Sequence, residues 1–142
     1  MSVSKDGNDP KGKSVGTAIT ITHPRVLLVD DSQSDRVLTT FHLNRYNVVV
    51  TMVGGPRQAL ELLNEDHVVN LILTVDFMPD HMSGYDLLIE VKKSPKLNQL
   101  PVVITSNDIN PERVKKCLDG GAKAYIQKPI NTTNIHSILR YI

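Results

Sequence analysis

Tryptophan is absent, and aromatic residues make up only 4% of the 142 residues. Base-stacking platforms need aromatic side chains, so a surface for single-stranded nucleic acid is not expected. An excess of either charge is missing too. Sixteen Lys and Arg stand against 15 Asp and Glu, a formal net charge of +1. No basic field of the kind that gathers phosphate backbones follows from that balance. Cys117 is the only cysteine, which excludes an internal disulfide and suits a reducing compartment. No apolar run approaches the roughly 20 residues of a membrane-spanning helix. Met1 to Ser14 holds no hydrophobic stretch, so the N-terminus does not read as a signal peptide. Neither G-x-x-x-x-G-K-[ST] nor G-x-G-x-x-G occurs, which argues against a nucleotide site. His23, His42, His67, His81 and His136 show no metal-ligand spacing.

What is present alternates. Residues 1–22, rich in Ser, Lys, Gly and Asp, read as a disordered tail, and 23–142 as one folded domain. Short runs at Arg25–Val29, Val48–Val53, Asn70–Val75, Val102–Thr105 and Ala124–Gln127 predict strands, the first, aliphatic from Val26 to Val29, buried on both faces. Between them lie helical stripes: Val37, Leu38 and Phe41; Ala59, Leu60 and Leu63 after Pro56; Gly84, Leu87, Leu88 and Val91; Val114, Cys117 and Leu118 before Gly120-Gly121; and Ile135, Ile138, Leu139 and Ile142. Each stripe is expected to face the core, with Cys117 a small buried hydrophobe rather than a nucleophile. The alternation predicts an α/β domain, a doubly wound five-stranded parallel sheet flanked by five helices. In such sheets the site lies beyond the carboxyl ends of the strands, at the switch point.

Chemistry-bearing residues stand at those ends. Asp30 and Asp31 follow the first strand, Asp76 the third, Thr105 and Ser106 end the fourth, and Lys128-Pro129 follows the fifth. One acid of the Asp30-Asp31 doublet is explained as a helix cap, but not two. Clustered carboxylates repel and need a cation, and Mg²⁺ tolerates few protein ligands. A lysine and a hydroxyl facing that ion suit an oxyanion. An aspartate there can attack phosphorus and form an acyl phosphate.

The segments Val29-Asp30-Asp31-Ser32, Met82-Ser83-Gly84-Tyr85-Asp86-Leu87-Leu88, Leu100-Pro101-Val102-Val103-Ile104 and Lys128-Pro129 resemble the receiver domains of two-component response regulators. The wording is most like plant type-A regulators, receivers without an output domain, and the chain stops within its last helix. The resemblance implies the flavodoxin-like strand order 2-1-3-4-5. It implies Asp30, Asp31 and Asp76 as Mg²⁺ ligands and Asp76 as the phosphoacceptor. Ser106 matches the switch hydroxyl, Lys128 the lysine on the phosphoryl oxygen, Tyr125 the aromatic that reorients, and Pro129 a cis-prone step. Expected partners are a histidine phosphotransfer protein or a sensor histidine kinase, and downstream signalling proteins. No enzyme activity of its own, nucleic-acid contact or membrane contact is expected. A monomer in the nucleus or cytoplasm, damping cytokinin signalling, completes that expectation.

One segment departs from the family. Thr74-Val75-Asp76-Phe77-Met78-Pro79-Asp80-His81-Met82-Ser83-Gly84-Tyr85 is one residue longer than the family's Thr-Asp-Tyr-x-Met-Pro-Gly-Met-Thr-Gly-Tyr. Anchored on Met78-Pro79, Val75 takes the acceptor position. Anchored on Met82 to Tyr85, Asp76 takes it and Val75 is the insertion. A plain slip turns Asp76 away from Asp31, whereas a bulge near Val75 restores its direction. Two readings follow: a receiver phosphorylated on Asp76, or a pseudo-receiver that binds partners without the chemistry. A small phosphate-ester enzyme using the same acids is a third class, for which the chain offers no cap domain.

Overall fold

In the computed structural model, the residues described are 23–65, 67–78 and 82–142. The expected tail and the loop residues Pro79, Asp80 and His81 lie outside them. The elements run β1 (Arg25–Val29), α1 (Gln33–Asn44), β2 (Val49–Val53), α2 (Pro56–Asn64), β3 (Leu71–Val75), α3 (Gly84–Lys93), β4 (Val102–Ser106), α4 (Pro111–Asp119), β5 (Ala124–Gln127) and α5 (Thr132–Leu139). The strands form one sheet in the order β2-β1-β3-β4-β5, parallel at every pairing.

The aliphatic runs of β1, β3 and β4 are buried along nearly their whole length because helices cover both faces of the sheet there, while the edge strand β2 is partly exposed. One core lies on the side of α2, α3 and α4. There Leu27, Val29 and Ile72 pack with Ala59, Leu63, Leu87, Leu88 and Cys117. The other lies on the side of α1 and α5, where Val26, Leu28, Leu71 and Leu73 pack with Leu43, Ile135 and Ile138. Cys117 is fully buried, and burial, with Asp76 nearby, pushes its thiol up to about 11.

Helix ends follow local chemistry. Ser83 caps α3 in a capping box with Asp86, Asn131 and Asn134 do the same for α5, and Pro111 follows the Asn110 cap of α4. Each arrangement satisfies amides that a helix start leaves without partners. Gly121 after α4 has φ +112°, a conformation that favours glycine.

The stripe on α1 corrects an expectation. Val37, Leu38 and Phe41 are exposed by 60, 47 and 59%. Thr39 and Leu43 are the α1 residues that face the sheet. They are four apart, and the predicted stripe lies beside that row rather than on it. Leu118 and Ile142 are exposed as well, Ile142 because α5 stops at Leu139.

Candidate functional site

The carboxyl ends of β1, β3, β4 and β5 bring the chemistry-bearing residues to one rim, in two separate groups. The first forms around Asp30, which is 2% exposed. Its Oδ1 accepts from the Ser32 amide at 2.9 Å, and Arg36 donates to its backbone carbonyl at 2.7 Å. Lys128 Nζ donates to Asp30 Oδ2 at 2.8 Å and to Asp35 Oδ2 at 2.9 Å. Burial works against the ammonium charge, but these two carboxylates outweigh it and raise the Lys128 pKa. Lys128 reaches the group because β5 ends at Gln127 and its amide bonds the Ser106 carbonyl. The following Lys128-Pro129 bond is cis. Asp31, next in the chain, is exposed.

The second group forms around Asp76, also 2% exposed. Arg113 of α4 grips it with two bonds, Nε to Oδ2 at 2.7 Å and Nη2 to Oδ1 at 2.8 Å. Tyr125 of β5 donates its hydroxyl to Oδ2 at 2.9 Å, and the Tyr85 amide points at Oδ1 at 3.3 Å. Burial pushes the carboxyl up. The hydrogen bonds from Arg113 and Tyr125 and the Arg113 charge outweigh it and leave the group below its ordinary 3.8. Burial, and the bond to Asp76, push the Tyr125 phenol up to about 12. Arg113 also lies 5.6 Å from the centre of the Tyr85 ring, with Lys116 4.4 Å from the same ring.

The extra residue explains the separation. β3 pairs without interruption, Val29 opposite Thr74 on one side and Val75 opposite Thr105 on the other. There is no bulge in that ladder, contrary to one of the two expectations. Val75 stays in the strand, 5% exposed, within the core on the α2–α4 side. Asp76 therefore begins one step later, where its amide bonds the Thr105 carbonyl. Its side chain meets α3, α4 and β5, while Asp30 meets α1 and Lys128. Gly84 fixes the segment from the other end. Its amide donates to the Asp76 carbonyl at 2.7 Å, and a Cβ there would lie 2.5 Å from the Val75 carbonyl oxygen. Asp76 thus keeps the spacing to Gly84, while Val75 holds the strand position.

Of the expected site residues, Asp30 and Lys128 meet, and Asp76 and Tyr125 meet. Ser106, 9% exposed, accepts from the Asp108 amide at 3.2 Å. The expected set of Asp30, Asp31 and Asp76 is not assembled. Among the described residues no three His, Cys, Asp or Glu side chains are gathered as a metal would need. Sequence reasoning missed Asp35 and Arg113. Asp35 carried a weak signal, an acid one turn after the Ser32 cap, which reads as a dipole partner. Arg113 adjoins the α4 stripe, and only the fold shows that it faces Asp76.

Residues 26–140 match the response regulator receiver domain family. The chain belongs to that family. The receiver is 54% identical over 122 residues to the two-component response regulator ORR12 of Oryza sativa subsp. japonica, covering 86% of this chain and 100% of that protein. Two-component response regulator ORR13 of the same organism is 51% identical over the same shares. Among solved structures, a response regulator receiver protein from Pseudomonas putida matches the receiver with a TM-score of 0.77 at 21% identity, covering 87% of this chain and 100% of that one. The chemotaxis protein CheY4 of Vibrio cholerae gives 0.75 at 24%, with 84% and 98% covered. At those identities the likeness is one of fold. Receiver domains generally bind Mg²⁺ at the phosphorylation site. Here the cationic groups of Lys128 and Arg113 already neutralise two of the three carboxylates, and the arrangement does not fit a three-carboxylate ion site.

Proposed function

We propose that this response regulator accepts a phosphoryl group on Asp76 from a phosphohistidine of a phosphotransfer protein or sensor kinase. The observation that carries the reading is the place of Asp76. It is a buried carboxylate at the end of β3, held by the Tyr125 hydroxyl of β5 at 2.9 Å and by the N-terminus of α3. A carboxylate oxygen attacking the phosphohistidine phosphorus forms the acyl phosphate, and the imidazole leaves with the electron pair. Tyr125 joins the acceptor to β5, so a change of charge at Asp76 is felt on the α4–β5 side. As a carrier of phosphoryl groups the chain is a signalling component rather than an enzyme. Its likeness to rice two-component regulators supports a type-A-like role, draining a relay and damping cytokinin signalling.

The exposed strip of Val37, Leu38 and Phe41 lies on α1, the helix that follows Asp30 and Asp31. Contiguous exposed apolar residues of this kind mark contact surfaces, and this strip suits the docking of the phosphodonor.

The position of Val75 favours a second reading, an interaction module that binds the same partners without phosphorylation. One transfer experiment separates the two. A labelled phosphotransfer protein is mixed with the chain in buffer containing Mg²⁺. Acid-labile label is expected on wild type and not on Asp76→Asn. Unlabelled wild type would leave the interaction module standing, and label undiminished in Asp76→Asn would refute Asp76 as the acceptor.

A further inference from the structure

An ionised carboxylate offers about four lone-pair sites, two on each oxygen, and at Asp76 four donors point at them. Oδ2 accepts from Arg113 Nε at 2.7 Å and from the Tyr125 hydroxyl at 2.9 Å. Oδ1 accepts from Arg113 Nη2 at 2.8 Å, and the Tyr85 amide points at it from 3.3 Å. An oxygen that attacks phosphorus needs a free lone pair, so one donor must let go first. The donors differ in their freedom to do so. The Tyr85 amide belongs to the backbone of α3, and the Tyr125 hydroxyl to a ring carried by β5. Arg113 reaches in from α4 on a long side chain that is 32% exposed. A cavity of about 500 Å³ opens in front of Asp76, lined in part by Phe77, Tyr85, Asn110, Arg113 and Lys116. It gives the guanidinium room to swing away with the backbone unchanged, and a small phosphoryl compound room to enter.

We infer that Arg113 is a latch on the acceptor: with its fork closed both oxygens of Asp76 are occupied, and attack on phosphorus waits for the fork to open. The bidentate, charged geometry makes Arg113 the strongest of these donors. The Tyr85 ring, 5.6 Å from the guanidinium, adds to the closed form. The rate of transfer therefore falls to the fraction of molecules that are open. Opening leaves β3 and the place of Asp76 as they are; only access to its oxygens changes. The latch deepens the reading of Asp76 as the acceptor and rests on it.

Phosphorylation of the full chain by phosphoramidate, followed by intact mass over time, tests the latch without a partner protein. The bond formed joins an Asp76 oxygen to phosphorus. The phosphorus–nitrogen bond breaks, and the nitrogen leaves with the electron pair as ammonia, its proton taken from water. Wild type is compared with Arg113→Met and Arg113→Lys, with Asp76→Asn as the blank. If about nine molecules in ten are closed, Arg113→Met takes the phosphoryl group about tenfold faster than wild type. Lysine keeps the charge but not the fork, so Arg113→Lys falls between them. The carboxyl carbon resonance of Asp76 gives a second readout. The bond and charge of Arg113 help to hold this carboxyl below 3.8 against burial, so its titration midpoint rises in Arg113→Met. Addition no faster on Arg113→Met than on wild type, or an unmoved midpoint, overturns the latch and leaves Asp76 as the acceptor. No phosphoryl group on either wild type or Arg113→Met, or addition that persists in Asp76→Asn, refutes the acceptor reading and the latch with it. If Arg113→Met fails to fold, Arg113→Lys carries the comparison, and a rate equal to wild type then overturns the inference.

Discussion

Asp30 and Asp76 leave neighbouring strands of one sheet, and each is 2% exposed, yet they end beside different cations. Buried carboxylates need cations or hydrogen-bond donors beside them. Lys128 solves the problem for Asp30, and Arg113 with Tyr125 solves it for Asp76. The Asp76 carboxyl is held below 3.8, so the folded state binds its proton less readily than the unfolded chain. A depressed acid contributes stability that is present above its unfolded pKa and lost as pH falls through the folded value. Wild type should therefore melt above Asp76→Asn from neutral pH down to about pH 4, with the gap closing below that. Thermal melts of both proteins across this range check it. A gap independent of pH would mean that the carboxylate charge contributes nothing. Asp30 and Lys128 were legible in the sequence because they sit at the ends of unmistakable strands. Asp35 and Arg113 were not, because a helix-borne side chain declares its partner only when the helices are packed.

At the level of elements, periodicity located all five strands and the core faces of α2 and α3. It failed on α1, where Val37, Leu38 and Phe41 form a stripe that packing does not use. Alternation could not decide the end of β3 either. A strand of aliphatic residues buried on both faces carries no polar face to mark its register. The structure fixes that end through Gly84, whose missing Cβ lets α3 approach the Val75–Asp76 peptide. A methyl group would meet the Val75 carbonyl oxygen at 2.5 Å and Asp76 Cα at 2.9 Å, and backbone atoms cannot step aside as a flexible side chain can. Gly84→Ala should cost about 1–3 kcal/mol. It should also disturb the amide resonance of Gly84, whose N–H donates to the Asp76 carbonyl. Denaturant unfolding and an amide spectrum check the two effects. An unchanged midpoint would mean that the β3–α3 junction is looser than described.

For the molecule as a whole, the fold and the family set the frame: a doubly wound sheet with its chemistry at the rim, as in other receivers. Within it, one inserted residue and one arginine redistribute five charged side chains into two closed groups. The acceptor proposed is Asp76, whose two carboxylate oxygens are held by Arg113. The direct measurement is intact-mass analysis after equal exposure to a phosphodonor, comparing wild type, Asp76→Asn, Arg113→Met and the double variant. One phosphoryl group is expected on wild type, faster addition on Arg113→Met, and none on either chain lacking Asp76. A phosphoryl group that persists without Asp76, or none on Arg113→Met, would contradict the account.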